Sequence, residues 1–140
     1  MLYAFAFIFL GHPANDDLCA GAVQDVCKWQ SFDASCGSSD DPDSVIMIDR
    51  AFFGRMRLGS CLTEDYGHVG CVADVRQLIE RRCAGRFSCS VSLPDVELDR
   101  SPHGCPPDLL AYLEVEFHCQ TGNLPALFYA IIIFIVCRPK

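Results

Sequence analysis

Positive charge is scarce in this 140-residue chain: 11 Lys and Arg stand against 18 Asp and Glu, a formal net charge of −7. No basic stripe runs along it, which argues against nucleic acid as a partner, because phosphate backbones are held by clustered Lys and Arg. An anionic membrane surface is disfavoured for the same reason. Long hydrophobic runs are missing too. Leu2 to Leu10 (LYAFAFIFL) ends after nine residues and Leu124 to Cys137 (LPALFYAIIIFIVC) after fourteen. As a helix the longer run covers only ~21 Å, against a hydrocarbon core of about 30 Å. No internal repeat is visible. Neither a Ser-His-Asp nor a Cys-His grouping suited to nucleophilic catalysis stands out.

The two apolar ends are read as targeting segments. The first run has the length of a signal-peptide core, which assigns residues 1–14 to a signal peptide and 15–26 to a leader segment. Three readings compete for residues 124–137: a short membrane anchor, the tail of a lipid-anchor signal, or an extension without a fixed role. Arg138 and Lys140 favour an anchor with its C-terminus inside. The Gly122-Asn123 pair is a poor polar spacer for a lipid-anchor signal.

What the chain has in abundance is cysteine, ten in all, eight of them between Cys27 and Cys119. That density predicts a disulfide framework made in an oxidising compartment, hence a secreted or cell-surface protein. The length supports one domain, small enough to need cross-links beside its apolar core. Gly37 to Ser44 (GSSDDPDS) is a solvated loop whose carboxylates do not have EF-hand spacing. Val45 to Ile48 predicts one buried strand. Val72, Val75, Leu78 and Ile79 recur at helical spacing, with Arg81 and Arg82 in the last turn, and predict a helix over 72–82.

Two stretches alternate with period two. Phe87, Cys89, Val91 and Leu93 interleave with serines, and Leu113, Val115, Phe117 and Cys119 interleave with Glu114, Glu116 and His118. Phe32, Ala34 and Cys36 repeat the pattern on a shorter scale. Half-buried antiparallel strands have this signature. The expected fold class is therefore α+β: a small antiparallel β-sheet or sandwich with one main helix and long disulfide-stapled loops. Glu114, Glu116 and His118 share a strand face and have the side-chain types of a metal site. A solvated polar face is the commoner use of such a trio, and no metal or other cofactor is expected.

The order of landmarks is distinctive. Cys27 and Cys36 are followed by Val45 to Ile48, Ala51-Phe52-Phe53-Gly54-Arg55, Cys61 and Cys71. Then come Cys83, Phe87-Ser88-Cys89, Cys105 and the run Tyr112 to Cys119. Over residues 27–119 the chain resembles the sea-urchin-egg-lectin type of domain, the rhamnose- or galactose-binding lectin module also found at the head of latrophilin-type adhesion receptors. The resemblance implies a metal-free recognition module rather than an enzyme. It also implies the bridges Cys27–Cys61, Cys36–Cys119, Cys71–Cys105 and Cys83–Cys89. Cys19 is left over, either a free thiol or the link of a disulfide-bonded dimer.

By the same resemblance the ligand site draws on the residue after the first cysteine, an ANYGR-like motif, and the stretch around a DPC…KYL-like motif. Here these positions hold Lys28, Phe52, Phe53 and Arg55, then His103, with Asp108 in a loop one residue longer than expected. Lys28 replaces a Glu, Phe52-Phe53 an Asn-Tyr pair, His103-Gly104 an Asp-Pro pair, and Ala111 a Lys. Each lost hydrogen bond costs about 0.5–1.5 kcal/mol, and millimolar binding amounts to only about 4 kcal/mol. The expected function is thus a lectin-like module with a degenerate monosaccharide pocket. The rival is an adhesion module that binds a cell-surface protein instead of a glycan, through a patch including Phe52. Arg55 is expected to brace the loop through backbone carbonyls or Asp49.

Overall fold

The computed structural model describes residues 22–37 and 42–121. The signal-peptide stretch 1–14, most of the leader segment, Cys19, Asp40, Asp41, the apolar segment 124–137 and Cys137 lie outside the described residues. Two antiparallel sheets carry the fold. The larger has the order β1 (Ala22–Val26), β6 (Tyr112–Gln120), β3 (Val45–Gly54), β4 (Val72–Asp74), and the smaller pairs β2 (Ser31–Ser35) with β5 (Ser88–Ser92). Helices α1 (Arg76–Cys83) and α2 (Val96–Asp99) complete the α+β architecture.

β3 and β6 form the central ladder, running from Val45 opposite Gln120 to Gly54 opposite Tyr112, with a shift of register between Ile48 and Arg50. The extra residue is Asp49. Before it Ile46 and Ile48 face the core; after it the buried set is Ala51 and Phe53. A bulge inserts one residue into one strand and so switches which side chains point inward. Arg50 is thereby turned outward onto Glu116, while Asp49 accepts from His118 Nδ1 at 2.8 Å. Glu114 in turn pairs with Arg57, which also reaches Asp25. The polar face of β6 is therefore an ion-paired surface, each of its three ionisable groups having a different partner.

The core lies between the large sheet, the small sheet and α1. Val26, Phe32, Ile46, Ile79, Leu98, Leu113 and Val115 are all fully buried there. Phe32 of the small sheet meets Phe117 of the large one edge to face, ring centroids 5.5 Å apart, a favoured aromatic geometry. Residues 22–26, assigned above to a leader, form β1 and pair along β6. Five residues without clear alternation gave no strand signal.

Two expectations need correction. The helix begins at Arg76 rather than Val72, because Val72 to Asp74 pair with Phe52 to Gly54 instead. Val72 is 41% exposed, so it never belonged to the buried stripe, which is Val75, Ile79 and Cys83. Gly54 allows the close pairing: a Cβ there would lie 2.3 Å from the Cys71 carbonyl oxygen, and its φ is +150°. Arg81 and Arg82 do occupy the last turn. Phe87 is 56% exposed and precedes β5, its carbonyl accepting from Cys36 N at 2.7 Å, so the apolar face of that strand is Cys89 and Val91, with buried Leu93 just past its end.

Disulfides join Cys27 to Cys61, Cys36 to Cys119, Cys71 to Cys105 and Cys83 to Cys89. Their spans differ widely, 83 residues for Cys36–Cys119 and 6 for Cys83–Cys89. In the chain-entropy account these spans correspond to about 4.5 and about 2 kcal/mol. Replacing the Cys36–Cys119 pair by Ala should therefore lower unfolding free energy by about 2 kcal/mol more than replacing Cys83–Cys89. Chemical denaturation of the two double variants checks this; equal losses would refute it.

Candidate functional site

A cleft of about 500 Å³ opens beside the end of β3. One lip is the tight turn Cys27 to Gln30. Gln30 N donates to the Cys27 carbonyl at 3.0 Å, Cys27 N donates to Gln30 Oε1 at 2.9 Å, and Leu93 N donates to the Gln30 carbonyl at 2.8 Å. The Cys27–Cys61 bridge ties the same turn to the far loop. The turn projects Lys28 and Trp29, both lining the cleft. Trp29 is 77% exposed and holds a φ of +71°, a conformation that bulky residues rarely adopt. Lys28 Nζ lies 5.2 Å from its ring centroid.

Another part of the lining follows α2. Asp95 caps that short helix, accepting from Glu97 N and Leu98 N at 3.0 Å each, and Leu98 plugs the core. Asp99, Ser101 and His103 then face the cleft. Ser101 Oγ donates to the Leu98 carbonyl at 2.6 Å. His103 Nδ1 accepts from Cys105 N at 3.0 Å, which puts the ring proton on Nε2 and directs it at the Asp99 carbonyl, 3.3 Å away. Both ring nitrogens are thus taken by backbone. Phe53 forms the floor, 2% exposed and edge to face with His103 at 5.5 Å. Pro94, Pro106 and Pro107 stiffen the rim.

Of the six site residues expected from sequence, Lys28, Phe53 and His103 meet in this cleft, and Phe52, Arg55 and Asp108 do not line it. Phe52 lies on the other face of β3, half-buried, opposite Glu114 on one side and Asp74 on the other. Asp108 is exposed in the turn closed by Leu109 N donating to the Pro106 carbonyl. Arg55 is 2% exposed and donates from Nε to the His68 carbonyl at 3.3 Å and from Nη1 to the Leu110 carbonyl at 2.5 Å. It braces two loops through backbone carbonyls; Asp49 is engaged with His118 instead.

Sequence reading missed Trp29 and Asp99. An isolated aromatic beside Lys28, outside any alternating run, was the available signal for the first. Asp99 closes the acidic run Asp95-Val96-Glu97-Leu98-Asp99, whose composition gives no sign of a cleft. Among the described residues, the side chains of Lys28 and Asp99, two residues of the cleft lining, make no hydrogen bond or ion pair to protein.

Residues 34–119 match the family model of the D-galactoside/L-rhamnose-binding SUEL lectin domain, more than half of the chain. The chain belongs to the SUEL lectin family. No curated protein matches it. SUEL lectin domains are carbohydrate-binding domains, not an enzyme family. Four disulfides on such a domain are the marks of an extracellular protein. Among the described residues no helix is long and apolar enough to cross a membrane. The matched span starts after Lys28 and Trp29, which the Cys27–Cys61 bridge nevertheless fastens to the SUEL domain.

Two predictions follow from the scaffold of this SUEL cleft. Arg55→Met leaves the His68 and Leu110 carbonyls without their donor, and should lower unfolding free energy by about 2–4 kcal/mol. Hydrogen exchange at Gly70 N–H, which donates to the Arg55 carbonyl, should accelerate more than exchange in β6. A destabilisation below about 0.5 kcal/mol would refute the bracing role.

The second prediction concerns Arg82, which ties α1 to α2 through Asp95 at 2.8 Å and Glu97 at 2.7 Å. The Arg82 guanidinium, helped by the two helix N–H groups, holds the Asp95 carboxyl below its ordinary value of 3.8. A depressed carboxylate pKa stabilises the fold above the unfolded-state value, and that contribution is lost as pH falls through the folded-state value. Asp95→Asn keeps a cap acceptor but cannot titrate, so its melting temperature should fall less than wild type's between roughly pH 5 and pH 2. Parallel acid profiles would refute this.

Proposed function

We propose that this protein is a secreted or cell-surface carbohydrate-recognition module, spanning residues 27–119 with β1 as an added edge strand, whose glycan enters the cleft beside Phe53. One observation carries the reading. Three stretches far apart in sequence, the Cys27 turn, the end of β3 and the segment before Cys105, converge on a single cleft of about 500 Å³. That size lies within the ~300–1,000 Å³ range of small-ligand sites.

The pocket is altered relative to what the resemblance implies for neutral galactose or rhamnose. Phe53 is committed to the core, His103 to backbone, Arg55 to loop bracing, and Ala111 brings no charge. The unengaged charged groups on the cleft wall are Lys28 and Asp99. Two polar contacts at about 0.5–1.5 kcal/mol each do not reach the ~4 kcal/mol of millimolar affinity without further contacts.

Free galactose and rhamnose should accordingly bind more weakly than about 1 mM by calorimetry. On a glycan array the protein should retain some glycans, with the signal reduced about tenfold by Asp99→Asn, which removes a charged acceptor for sugar hydroxyls. Submillimolar binding of either free sugar would refute the altered pocket. An empty array, together with a captured surface protein that is lost on Phe52→Arg, would transfer the function to protein adhesion.

A further inference from the structure

We infer that Lys28 and Trp29 form a selective lip that directs this cleft toward hexoses carrying an anionic substituent, a carboxylate or a sulfate, over neutral ones. The inference rests on the carbohydrate reading above and adds the ligand's chemical class.

Its first support is the state of the charges. Lys28 is the one Lys or Arg in the cleft lining. It is exposed and without an ion pair among the described residues, as Arg86 and Arg100 are elsewhere on the surface, whereas Arg50, Arg57, Arg76, Arg81 and Arg82 are each ion-paired with a carboxylate. The chain's net charge is −7, so a diffuse positive field does not attract anions here; a local cation must do so. Asp99 lines the same cleft, its side chain also without an ion pair among the described residues. Lys28 supplies the partner for an anionic substituent, and the Asp99 carboxylate an acceptor for sugar hydroxyls.

Trp29 is the second support. A non-glycine residue held at positive φ costs on the order of 1–3 kcal/mol and persists where the surroundings over-determine it. Here the over-determination is visible: one disulfide and three backbone or side-chain hydrogen bonds fix the Cys27 to Gln30 turn. The strain holds up an indole that is 77% exposed and so contributes little burial in the free protein. The Lys28 ammonium lies over one indole face, 5.2 Å from the ring centroid. The other face is left for the C–H side of a sugar ring, and an anionic substituent at the indole edge is within the swing of the flexible lysine side chain.

Trp29 is the single tryptophan of the chain, so its fluorescence reports directly on the lip. Titration with D-galacturonate or a galactose sulfate should give a saturable change with an affinity about tenfold above that of D-galactose. Lys28→Gln should reduce the anionic sugars to the galactose level, and Lys28→Arg should retain most of the difference. Trp29→Gly, followed by calorimetry, should lose anionic-sugar binding with a melting temperature unchanged or higher, because glycine relieves the positive φ. Equal affinities for galacturonate and galactose, or indifference to Lys28→Gln, would overturn the inference while leaving the carbohydrate reading standing. So would a Trp29→Gly variant that binds normally. No response to any sugar, free or arrayed, would overturn both.

Discussion

One extra residue governs this molecule. Asp49 interrupts the β3–β6 ladder, and the inward side of β3 changes parity across it. Without the bulge Arg50 and Phe52 would point into the core, where an unpaired guanidinium costs several kcal/mol, and Ala51 and Phe53 would point out. With it, Phe53 becomes the shared boundary between core and cleft, and the chain arrives at Gly54 close enough to pair with Val72 beside Cys71. Asp49 itself does not go unused, since its carboxylate holds His118 on the opposite strand.

The cleft is assembled from loops, yet each is bound at both ends. Cys27–Cys61 fastens the Trp29 turn, Cys71–Cys105 fastens the segment behind His103, and Arg55 joins the 68 and 110 loops from beneath. Backbone hydrogen bonds through His103 and Ser101 tighten the 98–105 wall further. Such cross-linking lets a small domain present non-repetitive surface without a large apolar core beneath it. Phe53, His103 and Arg55 each belong to that bracing, through core packing, backbone hydrogen bonds and loop carbonyls respectively.

Legibility in the sequence followed the length of each pattern. β6 was plain because the eight residues from Leu113 to Gln120 alternate without a break, and the small sheet's β2 was readable from Phe32, Ala34 and Cys36. β4 was misread as helix because three residues carry no period of their own; what makes them a strand is Gly54, far upstream. The bulge was invisible, since an Asp after four apolar residues looks like the end of a strand. Cysteine pairing came from family resemblance alone, as spacing cannot order eight thiols. In the site, Lys28 and His103 were found through motif position, but their consequences were not. Whether a histidine is free to bind depends on its two neighbours in space, and no one-dimensional pattern records that.

Trp29 shows the same limit more sharply. Its importance lies in a backbone angle, and that angle exists only because a disulfide and the Gln30 hydrogen bonds close the turn. In the free protein the exposed indole gains the Lys28 ammonium over its ring, worth less than the roughly 1–3 kcal/mol scale of the strain, and Lys28 makes no ion pair among the described residues. Asp99 adds a carboxylate without an ion pair to the same lining. Neither exposed charge costs much by itself, but the positive φ of Trp29 does, and the strained indole stands beside the one Lys or Arg of the cleft. A ligand with a flat apolar face, hydroxyl donors and an anionic substituent is the account we propose for that combination.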